Sequence, residues 1–160
     1  MSSAEMNTGT FKLQETATMP AARAPNRVHV AWNGEKRFDV GRASGGPTSR
    51  VDASGETGPG PVDWLLGALA TCTSIDIVEI LAKRKTPVNA LTVDVIGERA
   101  NGIPARVVKV QLVYKIVGDV DRVHAERAID LSVTKYCSVR DSLDPNMPIE
   151  WVLELNGERA

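Results

Sequence analysis

The chain has 160 residues, 42% hydrophobic and 24% charged, ordinary usage for a water-soluble globular domain. Nineteen Lys and Arg against 20 Asp and Glu leave a net charge of -1, which gives no electrostatic footprint for nucleic acid or an anionic membrane. Two cysteines exclude a disulfide-stapled secreted scaffold and suffice for one redox pair, while aromatics at 4% leave the core to Val, Ile, Leu and Ala.

In chain order, residues 1–26 read as a loose arm ahead of a single domain over 27–160. The first 25 residues hold no apolar run of signal-peptide length, so cytoplasm is the expected compartment. Arg27 to Trp32 alternates in the strand period, Asn33-Gly34 is a hairpin turn, and Arg37 to Val40 is the returning strand. Gly41 to Gly60 is rich in Gly, Ser, Thr and Pro, with a weak strand around Arg50 to Ala53; a stretch this long with little structure is functional or mobile. Pro61 starts a helix, because its missing N–H costs nothing there, and Asp63 complements the dipole in the first turn. The helix runs to about Lys85, stopped by a basic last turn and Pro87. It is apolar almost all round, which marks a central buried helix, and its Thr, Ser, Asp and Glu interruptions argue against a membrane span. Ala90 to Glu98 and Val107 to Val117 follow as long strands around Asn101-Gly102. A second helix is expected from Asp119, its cap, to about Tyr136, and Ile149 to Leu155 is a closing strand. The order ββ-α-ββ-α-β indicates an α+β domain with antiparallel-rich sheets.

Cys72 lies midway along the apolar helix, where a lone Cys is most often an inert core residue. Cys137 lies at the end of the second helix, in Lys135-Tyr136-Cys137-Ser138-Val139, where a terminus gives partial exposure and Lys135 offers a weak thiolate partner. The two are too distant in sequence for a CxxC motif, and neither has a His at metal-ligand spacing, so no metal site is expected. His29 and His124 read as structural or surface residues.

The segment Gly58-Pro59-Gly60-Pro61-Val62-Asp63-Trp64-Leu65-Leu66-Gly67-Ala68-Leu69-Ala70-Thr71-Cys72-Thr73-Ser74, with Lys135-Tyr136-Cys137-Ser138-Val139 downstream, resembles the OsmC/Ohr family of thiol-dependent hydroperoxide reductases. The resemblance runs from about Val28 to Asn156. It implies the OsmC-like fold, an intertwined homodimer whose sheets surround two central helices. It also implies an enzyme in which Cys72 attacks the peroxide and Cys137 resolves the product. The chemistry suits the pair: a thiolate cleaves the O–O bond, and a second thiol traps the sulfenic acid as a disulfide before over-oxidation. An external dithiol then reduces the disulfide, so no resident cofactor is expected. An apolar pocket favours organic hydroperoxides, and Gly67, Ala68 and Ala70 either let substrate or a helix approach Cys72 or serve plain helix packing.

The chain also departs from the family pattern. There a Glu directly after the helix-start Pro holds a catalytic Arg against the Cys; here that place is Val62 and the acid is Asp63. Nine helical residues turn about 900°, so Asp63 faces away from Cys72 in a straight helix. A subgroup with Pro-x-Asp/Glu is more similar to this sequence. The candidates for the Arg are Arg37, with Lys36, Arg42 and Arg50, each also readable as a solvated surface charge. Asp76 and Glu79 lie near the face of Cys72, where an acid raises a thiol pKa. The alternatives to a peroxidase are a non-catalytic protein holding a small apolar ligand, or a thiol redox sensor, on the same dimeric scaffold.

Overall fold

The protein is described by a computed structural model covering residues 22–159, so most of the N-terminal arm lies outside the described residues. Strands β1 (Val28–Trp32), β2 (Arg37–Arg42) and β3 (Ser49–Asp52) form a three-stranded antiparallel sheet. The Asn33-Gly34 turn closes the first hairpin, with Val30 opposite Val40 and Trp32 opposite Phe38. The weak strand suspected in the Gly-rich stretch is β3, paired with β2.

The rest of that stretch has more structure than expected. Buried Asp52 accepts hydrogen bonds from the amide and hydroxyl of Ser54 (2.9 and 2.6 Å) and of Thr57 (3.0 and 2.7 Å). Four donors on one carboxylate hold its pKa far below the usual range and lock the loop. Gly58 allows the chain to return against β3, since a Cβ there would lie 2.7 Å from the Arg50 carbonyl oxygen.

Helix α1 (Pro61–Lys83) follows. By length and apolarity it would suffice to cross a membrane, yet here it is the core helix, burying Leu69, Ala70, Thr73, Ile77 and Leu81. Each fully buried Leu or Ile contributes roughly 1.5–3 kcal/mol. Its buried face packs on a second sheet ordered β4 (Ala90–Arg99), β5 (Val107–Val117), β6 (Ile149–Leu155), β7 (Glu158–Arg159). β4 alternates strictly, turning Leu91, Val93 and Val95 inward, and Gly97 leaves room for Leu66, whose Cδ1 would be 2.8 Å from a Cβ. β5 is the central strand, antiparallel to β4 and parallel to β6.

A parallel pair needs a long crossover, and this one carries α2 (Arg122–Leu131), a π-helical turn (Ser132–Tyr136) and the short α3 (Ser138–Asp141). The second helix therefore differs from expectation at both ends. Its cap is Asp121, not Asp119, because Val120 is buried just before the cap and Ala125 is buried at the fourth helical position, the two places of a hydrophobic staple. Its last turn widens, with the Cys137 amide donating to the Ser132 carbonyl at 3.0 Å, one residue further than an α-helix allows. This crossover brings the second cysteine over α1.

Candidate functional site

The site is built on the middle of α1 and the start of α3. Cys72 is half-buried on α1, and Cys137 is buried at the N-cap of α3, where its Sγ accepts the Arg140 amide at 3.3 Å. The fold thus gathers the two cysteines, from elements far apart in sequence, into mutual influence.

Their environments push them apart. Burial is the largest influence on Cys72 and raises its pKa. The Val139 amide, the Cys137 thiol and the Ser138 hydroxyl together outweigh it, while Asp76 opposes them, and the thiol ends below its ordinary value of 9.0. Cys137 is pushed up to about 11, first by burial and then by Cys72, against the amides of Arg140 and Val139. One thiol is thereby made the more readily ionised and the other is kept protonated.

Under this pair lies a buried polar contact that sequence reading missed. Tyr114, on β5, meets the Thr73 hydroxyl at 2.6 Å, and both side chains are fully buried. Thr73 also donates back to the carbonyls of Leu69 and Ala70 (3.1 and 3.0 Å). Burial, opposed by the Thr73 bond and aided by the charge on Cys137, pushes the Tyr114 phenol up to about 12. The available signal was a tyrosine among the apolar residues of β5.

The other expected site residues stand elsewhere. Asp63 is exposed at the third position of α1 and accepts the Gly60 amide at 2.8 Å, a helix-start role. It sits ~13.5 Å along the helix axis from Cys72, at 1.5 Å per residue. Arg37 pairs with Glu35 at 2.8 Å. Arg50 is engaged by Asp39 through Nε at 2.6 Å, Lys36 and Arg42 are exposed, and among the described residues no cation acidifies Cys72. Asp76 does act on Cys72 as expected and is itself raised, by burial and then Glu79. Of the histidines, His29 is exposed and His124 meets Arg84 at 2.7 Å. Among the described residues, no group of three or more His, Cys, Asp or Glu is placed to hold a metal.

Fold and site together define an α+β protein carrying two juxtaposed thiols of unequal acidity. The chain belongs to the OsmC-like protein family, whose sequence model matches residues 53–152. It is 33% identical over 115 residues to protein YhfA of Escherichia coli strain K12, spanning 71% of this chain and 85% of that protein. A hypothetical protein from Aquifex aeolicus VF5 superposes with a TM-score of 0.74 at 25% identity, covering 84% of this chain and 98% of that one. The organic hydroperoxide resistance protein OhrB of Bacillus subtilis shares the fold, with a TM-score of 0.57 at 16% identity and coverage of 83% and 98%. The expected family and OsmC-like fold are therefore shown.

Proposed function

We propose that this protein is a thiol-dependent peroxidase that reduces organic hydroperoxides in the cytoplasm. The observation that carries the reading is the pairing of Cys72 and Cys137 in environments that favour a thiolate at the first and a thiol at the second. In the reaction the Cys72 thiolate attacks the O–O bond, the alcohol leaves with a proton, and Cys72 becomes a sulfenic acid. The Cys137 thiol condenses with it, releasing water and forming a disulfide, which a dithiol reductant restores without a resident cofactor. The family membership and the likeness to a hydroperoxide resistance protein support the same chemistry. Within one chain Asp63 holds the Gly60 amide and Arg37 pairs with Glu35, and the proposed reaction is written without a step through either.

The working form we propose is a homodimer. A three-stranded sheet whose first strand is exposed throughout, at 55% for Val30 and 67% for Trp32, leaves apolar surface for a second copy. So does the outer face of α1, where Ile75 and Val78 are exposed and the space beside Gly67 is open. The test is titration of the reduced protein with cumene hydroperoxide, counting free thiols by mass spectrometry. Loss of both thiols together, abolished by Cys72→Ser, is expected; two thiols that stay free sink the proposal.

One feature favours a second reading, ligand binding without catalysis. A groove of about 550 Å³ lined by Val30, Phe38, Val40, Val51, Pro61 and Trp64 does not include Cys72. A small apolar molecule that co-purifies and leaves the thiols reduced under peroxide would select it.

A further inference from the structure

Beside Cys137 lies a cavity of about 370 Å³ walled by the π-helical turn, α3 and the loop into β6, including Thr134, Lys135, Arg140, Asp141 and Pro145. Cys137 belongs to that wall and Cys72 does not. Arg140 organises both sides of it. Its guanidinium donates to the carbonyls of Asp144 and Pro145 at 3.2 Å and of Met147 at 3.4 Å, while its amide donates to the Cys137 sulfur. Cavity and sulfur are thus fixed by one residue.

Resting on the peroxidase reading, in which oxidation joins Cys72 to Cys137, we propose that this cavity admits the dithiol reductant and that its thiolate attacks the Cys137 sulfur. Thiol–disulfide exchange runs in line, so a sulfur attacking Cys137 approaches from the side away from Cys72. A cavity walled by Cys137 without Cys72 supplies that approach. Attack at Cys137 also expels Cys72, the thiol whose ionised form the fold favours, and exchange is faster when the more acidic thiol leaves. Lys135 and Arg140 outnumber Asp141 in the wall, which favours an incoming anion.

A bond forms between the reductant sulfur and Cys137, the Cys72–Cys137 bond breaks, and its electron pair leaves on the Cys72 thiolate. The reductant's second thiol gives up its proton and attacks the mixed disulfide, closing the reductant into its own disulfide. Cys137 departs as a thiolate and takes up a proton. The protein disulfide gains two electrons and the dithiol loses two.

The test begins with the full chain oxidised by one equivalent of cumene hydroperoxide and checked by mass spectrometry for the internal disulfide. Absence of that disulfide overturns the peroxidase reading and this proposal with it, before any reductant is added. The oxidised protein is then treated briefly with 2-mercaptoethanol, a monothiol that cannot close into its own cyclic disulfide, and quenched with N-ethylmaleimide before a second molecule attacks the mixed disulfide. Peptide mapping is expected to place mercaptoethanol on Cys137 and maleimide on Cys72, in about tenfold excess over the reverse. Mercaptoethanol mainly on Cys72, or an even distribution, overturns the site while leaving the peroxidase reading standing. Thr134 is exposed on the cavity wall, so Thr134→Trp fills the cavity from outside the core. It should slow reduction of the disulfide by dithiothreitol about tenfold relative to wild type, and an unchanged rate counts against the proposal.

Discussion

Replacing Tyr114 by Phe tests the buried contact beneath the thiols, because it removes one oxygen and little volume. The phenol meets Thr73 at 2.6 Å where both residues are fully buried. Thr73 keeps its carbonyl partners on α1, so no stranded donor results and the cost is that of one hydrogen bond, about 1–1.5 kcal/mol near pH 8. That cost depends on pH with a definite sign. The folded phenol is pushed up to about 12, whereas an unfolded Tyr titrates near 10. The native state therefore holds its proton more tightly, and this stabilisation is complete below pH 10 and lost as pH rises through 12. By pH 11 the wild type has lost about 1.4 kcal/mol that the Phe variant never had. The penalty of Tyr114→Phe should accordingly shrink from its pH 8 value to near zero at pH 11. Urea unfolding followed by tryptophan fluorescence, at several pH values between 8 and 11, measures it. A difference that stays constant with pH, or a variant as stable as wild type at pH 8, refutes the reasoning.

Three further outcomes are expected. Asp76→Asn removes a charge that holds the Cys72 pKa up, so the pH midpoint of Cys72 alkylation by monobromobimane should move lower; a midpoint that stays put or rises contradicts the assignment. Cys137→Ser removes the trap for the sulfenic acid, and under excess cumene hydroperoxide Cys72 should proceed to sulfinic acid in the mass spectrum, whereas the wild type stops at the disulfide. Gly58→Ala places a Cβ 2.7 Å from the Arg50 carbonyl, a main-chain atom that cannot swing away, and should lower stability by about 1–3 kcal/mol in thermal melts. A melting temperature equal to wild type would mean that the loop moves freely.

What the sequence disclosed and what it withheld follow from the range of the interactions involved. The start of α1 was legible because Pro61 and Asp63 act within one turn, and β6 was legible because Ile149 to Leu155 alternates. The cap of α2 went to Asp121 instead of Asp119 because burial of Val120, a tertiary event, chose between two nearby acids. The π-helical turn has no residue signature of its own. Both cysteines were named from sequence, but their meeting depends on the β5–β6 crossover and was reached only through family resemblance. The groups that acidify Cys72 were missed because a cation was sought, whereas an amide of Val139 looks like any other in a sequence. Thr73 and Tyr114 stand 41 residues apart, and nothing local joins them.

Among the described residues of one chain no cation acidifies Cys72, and this bears on how its thiol is tuned. A guanidinium beside a thiolate lowers its pKa by direct charge attraction. Here burial works against the thiolate and Asp76 adds to the opposition, so the donors at the start of α3 carry the whole favourable effect. A hydrogen bond to a charged group contributes about 1.5–3 kcal/mol, enough for a few donors to outweigh partial burial. One of those donors is the Cys137 thiol itself, whose own pKa is pushed up to about 11, first by burial. Protonated, Cys137 thus helps to hold the Cys72 thiol below its ordinary value, before any resolving role it has in the proposed reaction. In the proposed reaction, oxidation of Cys72 to the neutral sulfenic acid removes only the smaller part of what holds Cys137 up, since burial is the larger.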